Sequence, residues 1–340
     1  MILPVLILLF LICLWGLQLS KRNDGYLSLE STNAIKGIFA VIILCSHMGG
    51  YLQFEDSLAN RFYFKIMEYL AQSMVAPYLF YSGYGIYYSF RNKEDYASGF
   101  FRKRFLKTLI NFDLAVLVFV VVQALVPIKY PLRNYLLCWV GWESVGNSNW
   151  FIFVILALYL IAFIGFFAEK KKKGAFLPLI ILLSFTLWLF LRIVAHKESW
   201  WYDTIAAFPL GMLYYAHQDK IDKLFLLDGK TWRWALALCL VSGAYVVWHH
   251  LMGVDVFGIC SCIFCLLITV FTMRIKIGNP ILNWLGKHAF AIYILQRLPM
   301  LLMAHYGVHL HPGVFIPAAI ILTFLLAEGF NRLTDKIRLT

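Results

Sequence analysis

The sequence predicts an all-α protein, a polytopic bundle of transmembrane helices with about eleven spans. Three observations predict it. Apolar residues make up 61% and charged residues 14% of the 340 positions, far from the averages of soluble domains. The apolar residues gather in runs of about twenty, the length that crosses a bilayer. Most Lys and Arg lie in the short segments between those runs, and aromatics at 17% fit Trp and Tyr belts at two interfaces. The lipid bilayer is therefore the expected partner. The net charge of +12 carries topology information, and no nucleic acid is expected to bind.

The first run, 2–19, has the length of a secretory signal. It lacks a basic n-region and a small-residue cleavage site, and Lys21-Arg22 follows it, so it reads as a retained anchor helix. This gives an N-terminal anchor with its inner loop, 1–30, and a membrane domain, 31–340. The later runs are 33–52, 66–90, 108–127, 149–168, 175–194, 204–217, 232–250, 255–273, 284–304 and 313–331. Pro209 and Gly211 interrupt the short run 204–217, which is expected to be tilted or broken. No clear internal repeat of the transporter kind is present.

If the N-terminus lies outside and the loops alternate, 23 of the 30 Lys and Arg fall on the inner side. They include the loop Arg91 to Lys107, the run Lys170 to Lys173, Lys230 and Arg338. The positive-inside rule then places the C-terminus in the cytoplasm. The outer side collects His47, His196, His249, His250, His305, His309 and His311 together with Trp139, Trp142, Trp150, Trp200, Trp201 and Trp248. These tryptophans form either an interfacial belt or stacking surfaces for sugar rings.

Four constellations could carry chemistry. In the stretch Ser31 to Tyr51, Lys36 and His47 lie eleven residues apart. That is close to three helical turns, or about 16 Å along one face. Asn33 shares the stripe, which lipid would not accept cheaply. His47 is either a buried histidine satisfied by a carbonyl or by Ser46, or a proton-transfer group. Next, Arg102, Arg104 and Lys107 enter a span from the inner loop. They serve topology, or Arg104 and Lys107 grip a phosphate-bearing cofactor from one face. Third, Ser82, Gly83 and Gly85 interrupt a long apolar helix, as a hydrogen-bonding element or as packing. Fourth, Arg297 beside Gln296 needs a partner, with Glu68 or a bound anion as candidates, whereas Asp113 reads as a structural partner for a nearby base. The seven cysteines read as small apolar residues, and Cys262-x-x-Cys265 lacks partners for a metal, so none is expected.

Together these residues resemble the acyltransferase-3 family of integral membrane acyltransferases. Asn33-Ala-Ile-Lys36-Gly37 followed by His47 is similar to the family's D-x-x-R-G … H helix, with the spacing between the basic residue and the histidine kept. Pro77-Tyr-Leu-Phe-Tyr-Ser82-Gly83-Tyr resembles its P-x-F-F-x-x-S-G-F/Y segment, and Arg104-Phe-Leu-Lys107 its R-x-x-R. Asn149-Trp150-Phe-Ile-Phe, Phe208-Pro-Leu-Gly211-Met and Leu282 to Gln296 resemble three later segments. The resemblance implies a ten-helix core preceded by one helix, in a bacterial plasma membrane. It implies an O-acyltransferase that moves an acyl group, usually acetyl, from cytoplasmic acetyl-CoA to a hydroxyl of an extracytoplasmic or lipid-linked glycan. His47 would be catalytic, and Lys36, Arg104, Lys107, Arg102 and Asn33 would serve the acyl donor. Ser82, Gly83, Trp150, Gln296 and Arg297 would be substrate-facing or structural polar positions. The chain departs from the family pattern at Asn33 for an acid, Lys36 and Lys107 for arginines, Ala289 for a serine and Gln296 for a histidine. A different reading of the same stripe is a non-catalytic carrier or flippase for lipid-linked or anionic sugars.

Overall fold

The computed structural model describes residues 1–126, 128–226, 231–251 and 257–337. Lys230, Arg338, Pro127 at the end of the fourth predicted span and the start of the 255–273 span lie outside them. In chain order the helices are α1 (Leu3–Leu14), α2 (Leu29–Gly49), α3 (Leu58–Leu70), α4 (Ala76–Asn92), α5 (Tyr96–Phe100), α6 (Lys107–Leu125), α7 (Leu132–Leu137), α8 (Trp150–Lys171), α9 (Phe176–Leu189), α10 (Ala207–Phe225), α11 (Thr231–Leu251), α12 (Phe257–Thr272), α13 (Pro280–Leu295), α14 (Arg297–His305) and α15 (Pro312–Thr334). A helix occupies each predicted span. Among the described residues, five segments, Leu29–Gly49, Tyr96–Ala124, Trp150–Lys171, Phe176–Val194 and Pro312–Thr334, are individually long and apolar enough to cross a bilayer. Shorter apolar helices complete a polytopic helical bundle.

Four boundaries differ from the sequence expectation. The first span shortens to α1, and Gln18–Leu19 instead pairs antiparallel with Ile275–Lys276. The 66–90 span divides, because α3 ends at Leu70 and a 3₁₀ turn, Ala71–Met74, redirects the chain into α4. The 284–304 span divides at Gln296 between α13 and α14. The 204–217 segment, by contrast, is unbroken. Pro77, Pro209 and Pro299 each fall in the first turn of a helix, where the missing N–H has no intrahelical bond to lose.

Contacts sort the loops to two ends. At one end Arg274 donates to the carbonyls of Lys21 and Phe225, Asn23 to that of Thr272, and Arg91 pairs with Glu169 at 3.9 Å. This basic end holds the predicted inner loops. At the opposite end the Met1 amino group donates to Asn60 and Tyr63 to the Cys45 carbonyl, each at 3.0 Å. There Lys197 sits over Trp142 at 4.1 Å and Trp201 at 4.3 Å. Those two indoles therefore form a cation–π clamp within the protein, not open stacking surfaces for sugar.

Two glycine-mediated crossings hold the centre. Gly37 faces the Leu282 carbonyl and Gly286 faces the Asn33 carbonyl where α2 meets α13. Gly83 faces the Phe208 carbonyl and Gly211 the Phe80 carbonyl where α4 meets α10. A Cβ at any of the four would collide with the facing carbonyl oxygen, and small residues are what allow such close approach. Gly83 is thus a packing residue. Gly211→Val should destabilise the α4–α10 crossing by about 1–3 kcal/mol. A lowered melting temperature of the purified protein in detergent checks this, and an unchanged one contradicts it.

Candidate functional site

The site is built on one face of α2. Ser28 caps the helix by accepting the Ser31 amide, and Glu30 lies in the first turn. Both features suit a positive helix N-terminus and fix where the helix starts. From that start, Asn33, Lys36, Ala40 and Ile43 recur at helical spacing and line one cavity of about 290 Å³. Its other walls include Phe151 of α8 and Phe290 and Tyr293 of α13. A second cavity, of about 780 Å³, lies at the basic end, where Asp24, Lys93, Arg104, Ser82, Thr108 and Tyr159 contribute to its lining. Lys36, Tyr78, Phe151 and Phe290 line both, so the two cavities meet at Lys36. The Tyr78 hydroxyl donates to the Lys36 carbonyl at 2.6 Å and ties α4 to α2 at that junction.

His47 lies in the last turn of α2, beyond the narrower cavity. Its ring packs on Tyr293 with centroids 6.4 Å apart, and Tyr293 meets Phe151 at 5.6 Å. The Nδ1 atom of His47 is buried and has no hydrogen-bond partner. Its polar neighbours are the Gln296 amide and the Arg297 guanidinium. Gln296 is fully buried; its Nε2 donates to the Tyr293 carbonyl at 3.1 Å and its Oε1 has no partner. Lys36 and Arg104 at the other end are close enough to interact electrostatically.

The structure gathers some predicted residues and separates others. Asn33, Lys36 and Arg104 converge on the cavities, and Ser82 joins them with its hydroxyl donating to Tyr159 at 3.2 Å. Lys107 does not join them; it is exposed and lines neither cavity. The expectation that Arg104 and Lys107 share a face fails because residues Phe101–Leu106 form a π-helical stretch. An i→i+5 turn stacks residues about four apart, not three, so Thr108 takes the place beside Arg104. Arg102 faces a separate hollow of about 630 Å³ with Lys93, Lys103 and Arg104.

Trp150 starts α8 but lines neither cavity; the next residue, Phe151, lines both. Glu68 is not the partner of Arg297, because it pairs with Lys65 at 3.0 Å on the exposed side of α3. Asp113 was expected to pair with a base. It makes no ion pair among the described residues, and its Oδ1 lacks a hydrogen bond. The sequence reading also missed Tyr78, Phe290 and Tyr293. The signal was present on α13, where Gly286, Phe290 and Tyr293 recur at helical spacing on the face that meets α2.

An acyltransferase-domain model matches residues 29–329. No curated protein and no solved structure matches the chain significantly. The match covers α2 through most of α15 and contains every lining residue of the smaller cavity and all but Asp24, Gly25, Leu27 and Ser28 of the larger. The chain belongs to the acyltransferase-3 family of membrane acyltransferases.

Proposed function

We propose that the protein transfers an acyl group, acetyl in the simplest case, from acyl-CoA on the cytoplasmic side to a glycan hydroxyl on the other side. The observation that carries this is the pair of adjoining cavities, which share Lys36, Tyr78, Phe151 and Phe290 as walls, one cationic at the basic end and the other reaching Tyr293 beside His47. CoA is too highly charged to cross lipid, whereas its pantetheine arm is a thin flexible chain. In this reading the N-terminus is outside, and Arg104 and Lys36 meet the phosphates, with Arg102 and Lys93 at the rim. Lysine does so as a point charge, without the planar fork of arginine. The arm lies along Asn33, Ala40 and Ile43, and the thioester carbonyl reaches His47.

The chemistry then needs one proton carrier. The imidazole of His47 accepts the proton of the acceptor hydroxyl while that oxygen bonds to the carbonyl carbon. The tetrahedral intermediate collapses, the C–S bond breaks, and the departing CoA sulfur takes the proton from His47. The products are the glycan ester and free CoA.

Incubating purified protein with radiolabelled acetyl-CoA and a panel of glycans tests the reading. Label in a glycan, with stoichiometric release of CoA, is the expected result. Movement of sugar across the membrane without any label would replace transfer with a carrier function. Arg104→Ala should raise the KM for acetyl-CoA by about 10- to 100-fold, the value of a lost charge-assisted hydrogen bond. The acceptor KM should stay as it is. A defect confined to the acceptor, measured in the same assay, would contradict a donor at the basic end.

A further inference from the structure

We infer that the acceptor is an anionic sugar, carrying a carboxylate or a phosphate close to the hydroxyl that is acylated, and that Arg297 receives this group. The inference rests on the acyl-transfer reading and adds the substrate class.

At the catalytic end His47 Nδ1, the Tyr293 hydroxyl, Gln296 Oε1 and Arg297 Nε are buried without a hydrogen bond of full geometry; the His47 and Gln296 side chains face each other, Tyr293 faces the Phe151 backbone, and Arg297 Nε faces no acceptor. Unsatisfied buried polar atoms are rare and destabilising unless something pairs with them. His47 packs on Tyr293, which lines the smaller cavity, and Gln296 and Arg297 follow within one turn at the α13–α14 break, so the four groups belong to one region of the structure. Gln296 Oε1 can only accept and Arg297 Nε can only donate, while Tyr293 and His47 do either. That set suits a hydroxyl placed beside an anionic oxygen.

Charge points the same way. Arg297 makes no ion pair among the described residues, while Asp56, Glu68 and Glu143 pair with Arg61, Lys65 and Arg133. The groups that interact electrostatically with Arg297 are the phenols of Tyr51, Tyr130 and Tyr293 and the ring of His47. A half-buried guanidinium with only neutral neighbours lacks a counter-charge. A neutral sugar would leave it so, whereas a carboxylate or phosphate meets its planar fork directly. The anion also cancels a positive charge beside His47 at the moment the imidazole takes up a proton.

Equilibrium dialysis with the full-length protein in nanodiscs tests this, using methyl β-glucuronide, glucose 1-phosphate and methyl β-glucoside as probes. The wild type should bind at least one charged probe ten or more times more tightly than the glucoside. The preferred charged probe tells carboxylate from phosphate. Arg297→Gln should lose the preference while acetyl-CoA binding is retained, and Arg297→Lys, which keeps the charge without the fork, should fall between. Equal binding of charged and neutral probes by the wild type overturns the inference, as does a preference that survives in Arg297→Gln. If that variant does not fold, an undiminished preference in Arg297→Lys overturns it. Labelled acetyl-CoA is supplied in a separate arm. Charge preference without any transfer defeats the acyl-transfer reading alone, and transfer without charge preference defeats this inference alone.

Discussion

Replacing His47 with alanine should lower acyl transfer by about 10²–10⁴-fold, the usual contribution of a general base. Protein level in the membrane and acetyl-CoA binding should not change. The separation is expected because His47 makes no hydrogen bond of full geometry to the fold and faces only the Gln296 side chain. What the fold loses is ring contact with Tyr293 at 6.4 Å. In the proposed mechanism the acyl donor is held some three helical turns away, at Lys36 and Arg104, so its binding should not depend on the imidazole. The rate of labelled ester formation checks this. A variant that keeps a rate within tenfold of wild type contradicts the role given to His47.

Ala40→Phe should have the next largest effect. Ala40 lies on the α2 stripe between Lys36 and His47 and lines the cavity of about 290 Å³ that runs from Lys36 to Tyr293, the residue on which the His47 ring packs. A phenyl ring would occupy that space without touching Arg104 at the basic end. Acetyl-CoA should still bind, but its thioester could not reach His47. Misplacing a reacting group by even 1 Å can cost about 10²-fold, so transfer should fall at least that far. Binding of labelled acetyl-CoA and rate of transfer are measured on the same preparation. A general folding defect removes both, and unimpaired transfer shows that the donor takes another path.

The bundle was legible in the sequence because each span is an apolar run of bilayer length, and no alternative buries so much apolar surface. The ends of spans were less legible. Pro209 was expected to break its helix, yet it lies in the first turn of α10 and helps start it. Whether a proline begins or breaks a helix depends on where the preceding segment ends, and tertiary packing decides that. The site divides in the same way. Asn33, Lys36 and His47 could be placed together from the 3.6-residue period alone, because α2 is a regular helix. Arg104 and Lys107 could not, because the π-helical stretch at Phe101–Leu106 changes the period and nothing in the local sequence announces it. Phe151, Phe290 and Tyr293 read as ordinary core residues until the Gly37–Gly286 crossing brings α13 against the stripe. The separation of Glu68 from Arg297 is purely tertiary: α3 turns its ion pair outward.

The central claim is that donor and acceptor meet across the membrane at His47. Proteoliposomes containing protein of one orientation test it, with labelled acetyl-CoA supplied only at the face bearing Lys93 and Arg104 and the glycan only at the opposite face. Labelled glycan is expected on the far side, with free CoA remaining on the near side. Label that appears only when both substrates share one compartment would contradict it.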